Sequence, residues 1–102
     1  MAKTHPVSMD GFQFSPKDIP ISVGDTVEWT NGEDDDWHSA THQPAEGAKE
    51  LFDSPRLFAG DSYSFQFDVA GTYNYFCRNH PEHMKGTVVV SALNAEPKPA
   101  DI

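Results

Sequence analysis

Cysteine is almost absent from this chain. Of 102 residues only Cys77 carries a thiol, so no disulfide can form within it. That residue is left as a buried hydrophobe, a reactive thiol or a metal ligand. Positive charge is also scarce, with 7 lysines and arginines against 16 aspartates and glutamates and a formal net charge of −9. Nucleic acid and anionic membrane surfaces are polyanions and are excluded as partners; a charged partner should be basic. No run approaches the roughly 20 apolar residues of a membrane helix. The opening Met1-Ala2-Lys3-Thr4-His5-Pro6 has no apolar core. Either the protein is cytoplasmic, or a secretory signal has been removed ahead of it. The length fits one domain and excludes a multidomain enzyme.

What the sequence does have is aromatic residues, 12 % of the chain, and a period of two. Ser62 to Asp68 alternates polar and aromatic residues without a break, the pattern of a half-buried strand. Thr26 to Thr30 does the same, with Val27 and Trp29 facing inward. Thr72 to Cys77 places Tyr73, Tyr75 and Cys77 on one face, and Thr87 to Val90 forms another strand. Val7 to Phe14 and Ile19 to Val23 complete the set. Turn residues separate these runs at Gly24-Asp25, Asn31-Gly32, Gly60-Asp61 and Ala70-Gly71. The expected fold is an all-β, Greek-key sandwich of about seven to eight strands. It forms a single domain over 1–102, with a core over roughly 7–91 and a frayed tail over 94–102. A short helix or a loop excursion is expected around residues 43–56, where helix formers follow Pro44.

The chemistry is concentrated in Cys77-Arg78-Asn79-His80-Pro81-Glu82-His83-Met84. A cysteine ends one strand, and a short loop then offers two imidazoles and a thioether. Soft sulfur with imidazole is the donor set that suits copper cycling between Cu(I) and Cu(II). A His₂Cys site with a weak axial Met needs one more histidine from elsewhere, and His38 is the natural candidate. His83 is the rival ligand on the loop. Adjacent side chains such as His83 and Met84 tend to point apart, which favours His80. Two other readings compete. Zinc could use His38 and His42 with Cys77 and His80, but in a strand His38 and His42 lie about 13 Å apart. A thiol enzyme with Cys77 as nucleophile and His80 as base has no orienting third residue and leaves Met84 idle. His5 and His42 read as ordinary solvated histidines, and His83 as exposed.

These motifs resemble the plastocyanin/amicyanin-like cupredoxins, small type 1 blue copper proteins, over roughly Val7 to Ser91. Val23 to Asn31 is similar to the family's second and third strands. Gly71 to Cys77 is similar to its strand into the copper loop, and Met84 to Val90 to its exit. The Cys-x2-His-x3-Met spacing is intermediate between plastocyanin-like and amicyanin-like loops, and Pro81 after the histidine is similar to amicyanin. The resemblance implies His38, Cys77, His80 and axial Met84 as ligands of one copper ion, and electron transfer without bond chemistry on a substrate. Copper storage or delivery is the alternative. It further implies that Ser39 ties the two ligand loops, its N–H near the Cys77 sulfur, and that Phe76 is an outward aromatic beside the cysteine. His80 becomes the electron port, ringed by Pro81, Trp37 and Phe12. The implied partners are redox proteins with a basic docking surface facing Glu33-Asp34-Asp35-Asp36. A monomer is expected, in the periplasm or another extracytoplasmic space such as the thylakoid lumen.

Overall fold

Inward-facing side chains recur at every second residue, and that period builds two sheets around one shared core. The computed structural model describes residues 2–33 and 36–92. The tail over 94–102 and the acidic-turn residues Asp34 and Asp35 lie outside the described residues. The strands are β1 (Thr4–Met9), β2 (Phe14–Ser15), β3 (Asp18–Ser22), β4 (Thr26–Asn31), β5 (Thr41–His42), β6 (Ser62–Gln66), β7 (Gly71–Phe76) and β8 (Lys85–Ser91). One sheet has the order β2-β1-β4-β6 and the other β3-β8-β7-β5. Parallel pairing of β1 with β4 and of β3 with β8 makes both sheets mixed.

Two local expectations are refined. Val7 to Phe14 is not one strand: β1 stops at Met9, and the chain turns back so that β2 pairs with it antiparallel, Met9 opposite Phe14. Gly11 at φ 71° and Phe12 at φ 59° make that reversal in the left-handed region, where a residue with a Cβ such as Phe12 is uncommon. Residues 43–56 form a loop with no helical turn. The helix formers are overruled because bridges at Thr41–Asp53 and His38–Leu57 hold the ends extended and Phe52 is drawn into the core.

Trp29 on β4 is fully buried, with Tyr75, Phe52 and Tyr63 at ring-centroid distances of 5.3, 5.4 and 6.0 Å. Phe52 carries the cluster on to Phe65 and Phe67. Aromatic burial of this kind gives a small domain a rigid frame, because each ring removes much apolar surface from water at little rotamer cost. Among the described residues the Tyr75 hydroxyl has no hydrogen-bond partner in this core, and burial pushes its phenol well above the ordinary range. Tyr75 therefore acts as neutral packing.

Asp25 fastens the N-terminal edge. Buried at the turn before β4, its carboxylate accepts hydrogen bonds from His5 Nε2 at 2.9 Å, Lys3 N at 3.0 Å and Ser22 N at 3.1 Å. The His5 contact, with the two backbone N–H groups, lowers its pKa from 3.8 to about 2. A depressed carboxylate pKa stabilises the fold fully above the unfolded value, and that stability is lost as pH falls through the folded value. The expected window is thus between about pH 4 and about pH 2. Asp25→Asn should cost about 2 kcal/mol at neutral pH and flatten the stability curve in that window. Urea unfolding across the window checks this, and a mutant curve parallel to wild type would contradict it.

Candidate metal centre

Cys77 follows β7 directly, on the inward face that Tyr73 and Tyr75 already occupy, and is fully buried. The loop after it is closed on itself by backbone hydrogen bonds. Cys77 N donates to Met84 O at 3.0 Å, His80 N to Cys77 O at 3.1 Å, and Met84 N to His80 O at 2.9 Å. Cys77 and Met84 thereby face each other across the loop mouth, and Met84 is fully buried. His83 is exposed while its neighbour Met84 is buried, so the two side chains leave the loop on opposite sides.

His38 comes from the other ligand-bearing segment. Two backbone hydrogen bonds with Leu57, at 3.0 and 2.8 Å, hold it, and it is fully buried. Its Nδ1 lies 3.5 Å from Cys77 Sγ. Ser39 N donates to the same sulfur at 3.4 Å. The Ser39 hydroxyl accepts from Arg78 N at 2.9 Å and meets Thr41 Oγ1 at 2.9 Å. Thr41 in turn donates to Asp53 Oδ1 at 2.9 Å, so the Ser39 proton goes to Thr41. The residue after His38 is thus bonded directly to the residue after Cys77, and the relay runs on from Ser39 through Thr41 to Asp53.

Each imidazole has a carboxylate on its outer nitrogen. His38 Nε2 lies 2.6 Å from Glu33 Oε1, and His80 Nε2 lies 3.1 Å from Asp36 Oδ2. A carboxylate accepts, so it selects the tautomer with the proton on Nε2 and leaves the Nδ1 lone pair for another partner. The His38 contact draws the Glu33 carboxyl below its ordinary range, helped by Gly11 N. For Asp36, burial pushes upward, but hydrogen bonds from Asn79 and His80 outweigh it and the carboxyl ends below its ordinary range. Two carboxylates of the acidic turn are therefore engaged with the two histidines.

Asparagines organise this carboxylate pair. Asn31 Nδ2 donates to Leu57 O at 2.7 Å and Asp36 O at 2.9 Å, while its Oδ1 accepts from Glu33 N at 2.7 Å. Asn79 Nδ2 donates to Asp36 Oδ1 at 2.7 Å and Trp37 O at 2.9 Å. Sequence reasoning missed Asn31, Asn79 and the roles of Glu33 and Asp36. One signal was available: alternation from Val27 and Trp29 places Asn31 on the inward face, where an amide has to be satisfied.

The rings of His38 and His80 stand 5.5 Å apart, and Phe12 covers His80 at 4.7 Å. The His80 side chain is 24 % exposed beneath it. Pro81 is exposed, Trp37 is half-buried, and Phe76 is half-buried on the face of β7 opposite Tyr75. His42 is not solvated as expected. It is buried on β5, stacked on Phe52 at 5.2 Å, and its Nδ1 accepts from Leu51 N at 3.0 Å. Burial lowers its pKa. That engagement leaves His42 out of any shared site with His38, and the zinc quartet is not assembled. His5 is likewise tied down, on Asp25.

Among the described residues, no three His, Cys, Asp or Glu side chains stand close enough to grip an ion as placed. Cys77 and His38 already meet, and the His80 ring stands beside that of His38. The donor set itself is one thiol, two imidazoles with Nδ1 left available and one thioether. Three of its members are shut away from water. That combination fits copper better than zinc, which prefers four N/S ligands without a weak thioether.

Comparison with known proteins agrees with this chemistry. The model of the copper binding proteins of the plastocyanin/azurin family matches residues 2–91. Plastocyanin of Scenedesmus fuscus is 36 % identical over 87 residues, covering 76 % of this chain and 85 % of the relative. Amicyanin-alpha of Methylorubrum extorquens is 34 % identical over 84 residues, covering 82 % of this chain and 69 % of the relative. Among solved structures, an oxidised amicyanin mutant superposes with a TM-score of 0.76 at 32 % identity, covering 85 % of this chain and 81 % of that one.

Proposed function

The chain belongs to the plastocyanin/azurin family of copper-binding proteins, and from that premise we propose that His38, Cys77, His80 and Met84 hold its single type 1 copper ion. The protein is a small electron carrier. When bound, copper supplies a one-electron couple between Cu(I) and Cu(II). The observation that carries the ligand assignment is the approach of Cys77 Sγ to His38 Nδ1 at 3.5 Å. Two sulfurs suit Cu(I) and two imidazoles suit both states, so the set tolerates either charge with little rearrangement.

The surrounding groups act on the donors in opposite directions. The Ser39 N–H withdraws electron density from the Cys77 sulfur, which favours the reduced state. Glu33 and Asp36 make the imidazoles more basic, which favours the oxidised state. Both also fix ring orientation, and the sandwich beneath keeps the loops from drifting.

Adding Cu(II) to the copper-free protein should give an intense blue or green colour that dithionite bleaches. His80→Ala should lose most of that colour, and His83→Ala should leave it nearly unchanged, because His83 points to solvent. Retention in His80→Ala with loss in His83→Ala would reverse the assignment.

As an electron carrier the protein meets redox partner proteins, and it does so as a monomer without bond chemistry of its own. Its charge of −9 attracts partners of net positive charge before contact, an effect that salt weakens. The His80 edge, with Phe12 49 % exposed above it, is the electron port. A small apolar rim of this kind suits brief docking. Among the described residues no helix is long and apolar enough to cross a membrane. The working compartment is extracytoplasmic, the periplasm or a thylakoid lumen.

A further inference from the structure

Both arginines of the chain, Arg56 and Arg78, converge on one indole. The Arg56 guanidinium carbon lies 5.0 Å from the centre of the Trp37 ring, and that of Arg78 lies 5.7 Å from it. These residues come from different segments, so only the fold brings them together. Arg78 is fixed further by its Nε on Asp53 Oδ1 at 3.0 Å and its Nη2 on Ser54 O at 2.6 Å. The cluster also touches the proposed centre through the chain itself. Trp37 precedes His38, Arg78 follows Cys77, and Asn79 clamps Trp37 O while it holds Asp36.

A guanidinium stacked on an aromatic face has lost most of its rotamer freedom beforehand, and its planar fork matches a carboxylate. Concentrating both arginines at one point of a chain with net charge −9 opposes the overall field, which solubility does not require. Asp53 offsets the Arg78 charge and, with Ser54 O, takes up its Nε and Nη2, so the exposed Arg56 supplies the charge and the fork that meet a carboxylate.

We propose that the Arg56–Trp37–Arg78 cluster is the docking contact for a carboxylate presented by the redox partner protein beside its own electron port. The inference rests on the electron-carrier reading. Net charge governs which partners approach, and this local seat of opposite sign governs how an arriving partner is turned.

The test uses trianionic probes as stand-ins for the carboxylate. Redox-inert, paramagnetic hexacyanochromate(III) is titrated into the full chain, copper-free and as the Cu(I) form, and amide signals are followed by NMR. Broadening should centre on Trp37, Arg56 and Arg78 and fade in Arg56→Gln. Broadening that is absent, or unchanged in Arg56→Gln, overturns the proposal. In a second arm the reduced holoprotein gives one electron to hexacyanoferrate(III), which becomes hexacyanoferrate(II). Arg56→Glu should slow this step by about fivefold, while the rate with cationic tris(phenanthroline)cobalt(III) does not fall. Equal slowing with both oxidants overturns the proposal. A chain that takes up no copper yet shows the broadening would reject the carrier reading, and with it the redox partner, while keeping the anion seat.

Discussion

Cys77→Ser protein treated with Cu(II) is expected to stay nearly colourless and to bind the ion at least about 100-fold more weakly than wild type. That loss exceeds the one expected from removing an outer hydrogen-bonding partner of a ligand. The intense colour arises from charge transfer out of a thiolate, and serine offers no comparable donor at neutral pH. Three donors would remain, His38, His80 and Met84, which suit a pale copper site without a copper–sulfur bond of that strength. The substitution is sterically mild, and Ser39 N is in place to donate to the new hydroxyl. The buried hydroxyl should therefore cost no more than about 1–3 kcal/mol of stability. Absorption and copper affinity, measured beside urea unfolding, separate the two effects. A variant that folds and keeps the full colour would remove Cys77 from the site.

Gly86→Ala is the second large effect, and it concerns the frame. Gly86 lies opposite Tyr75 in the β7–β8 pairing, two residues after Met84. A Cβ there would fall 2.6 Å from the Tyr75 Cζ and hydroxyl oxygen and 2.9 Å from the Lys17 carbonyl oxygen. None of these is a yielding neighbour. Tyr75 is 1 % exposed and packed on Trp29, and the Lys17 carbonyl accepts from Thr87 N at 3.0 Å. Relief requires separating β3 from β8 or dislodging the ring. Overpacking of this kind should cost about 3 kcal/mol, seen as a lower urea midpoint with an unchanged slope. The strain would also pass to Met84 through Lys85. A midpoint equal to wild type would mean that β8 shifts freely, contrary to its pairing on both sides.

The strands were legible because alternation is a local property: Val27 and Trp29, or Tyr73 and Tyr75, share a face whatever the rest of the chain does. The loop 77–84 was legible as a donor cluster for the same reason, since its residues are neighbours in sequence. Residues 43–56 were ambiguous because local helix propensity competes there with bridges to Thr41 and His38, contacts that no window of sequence contains. His42 was misread as solvated because its burial depends on Phe52, ten residues away.

Sequence alone therefore determined the sandwich, the donor types and their order along the chain, because periodicity and loop spacing are written residue by residue. Tertiary structure decided how those donors are held. It turned Glu33 and Asp36 inward onto His38 and His80, set Ser39 N on the Cys77 sulfur, and brought Arg56 and Arg78 to Trp37. The physical reason is that a hydrogen bond or a stacked cation works over a few ångströms. Which groups come that close, from segments up to 44 residues apart, is settled only when the sheets pack.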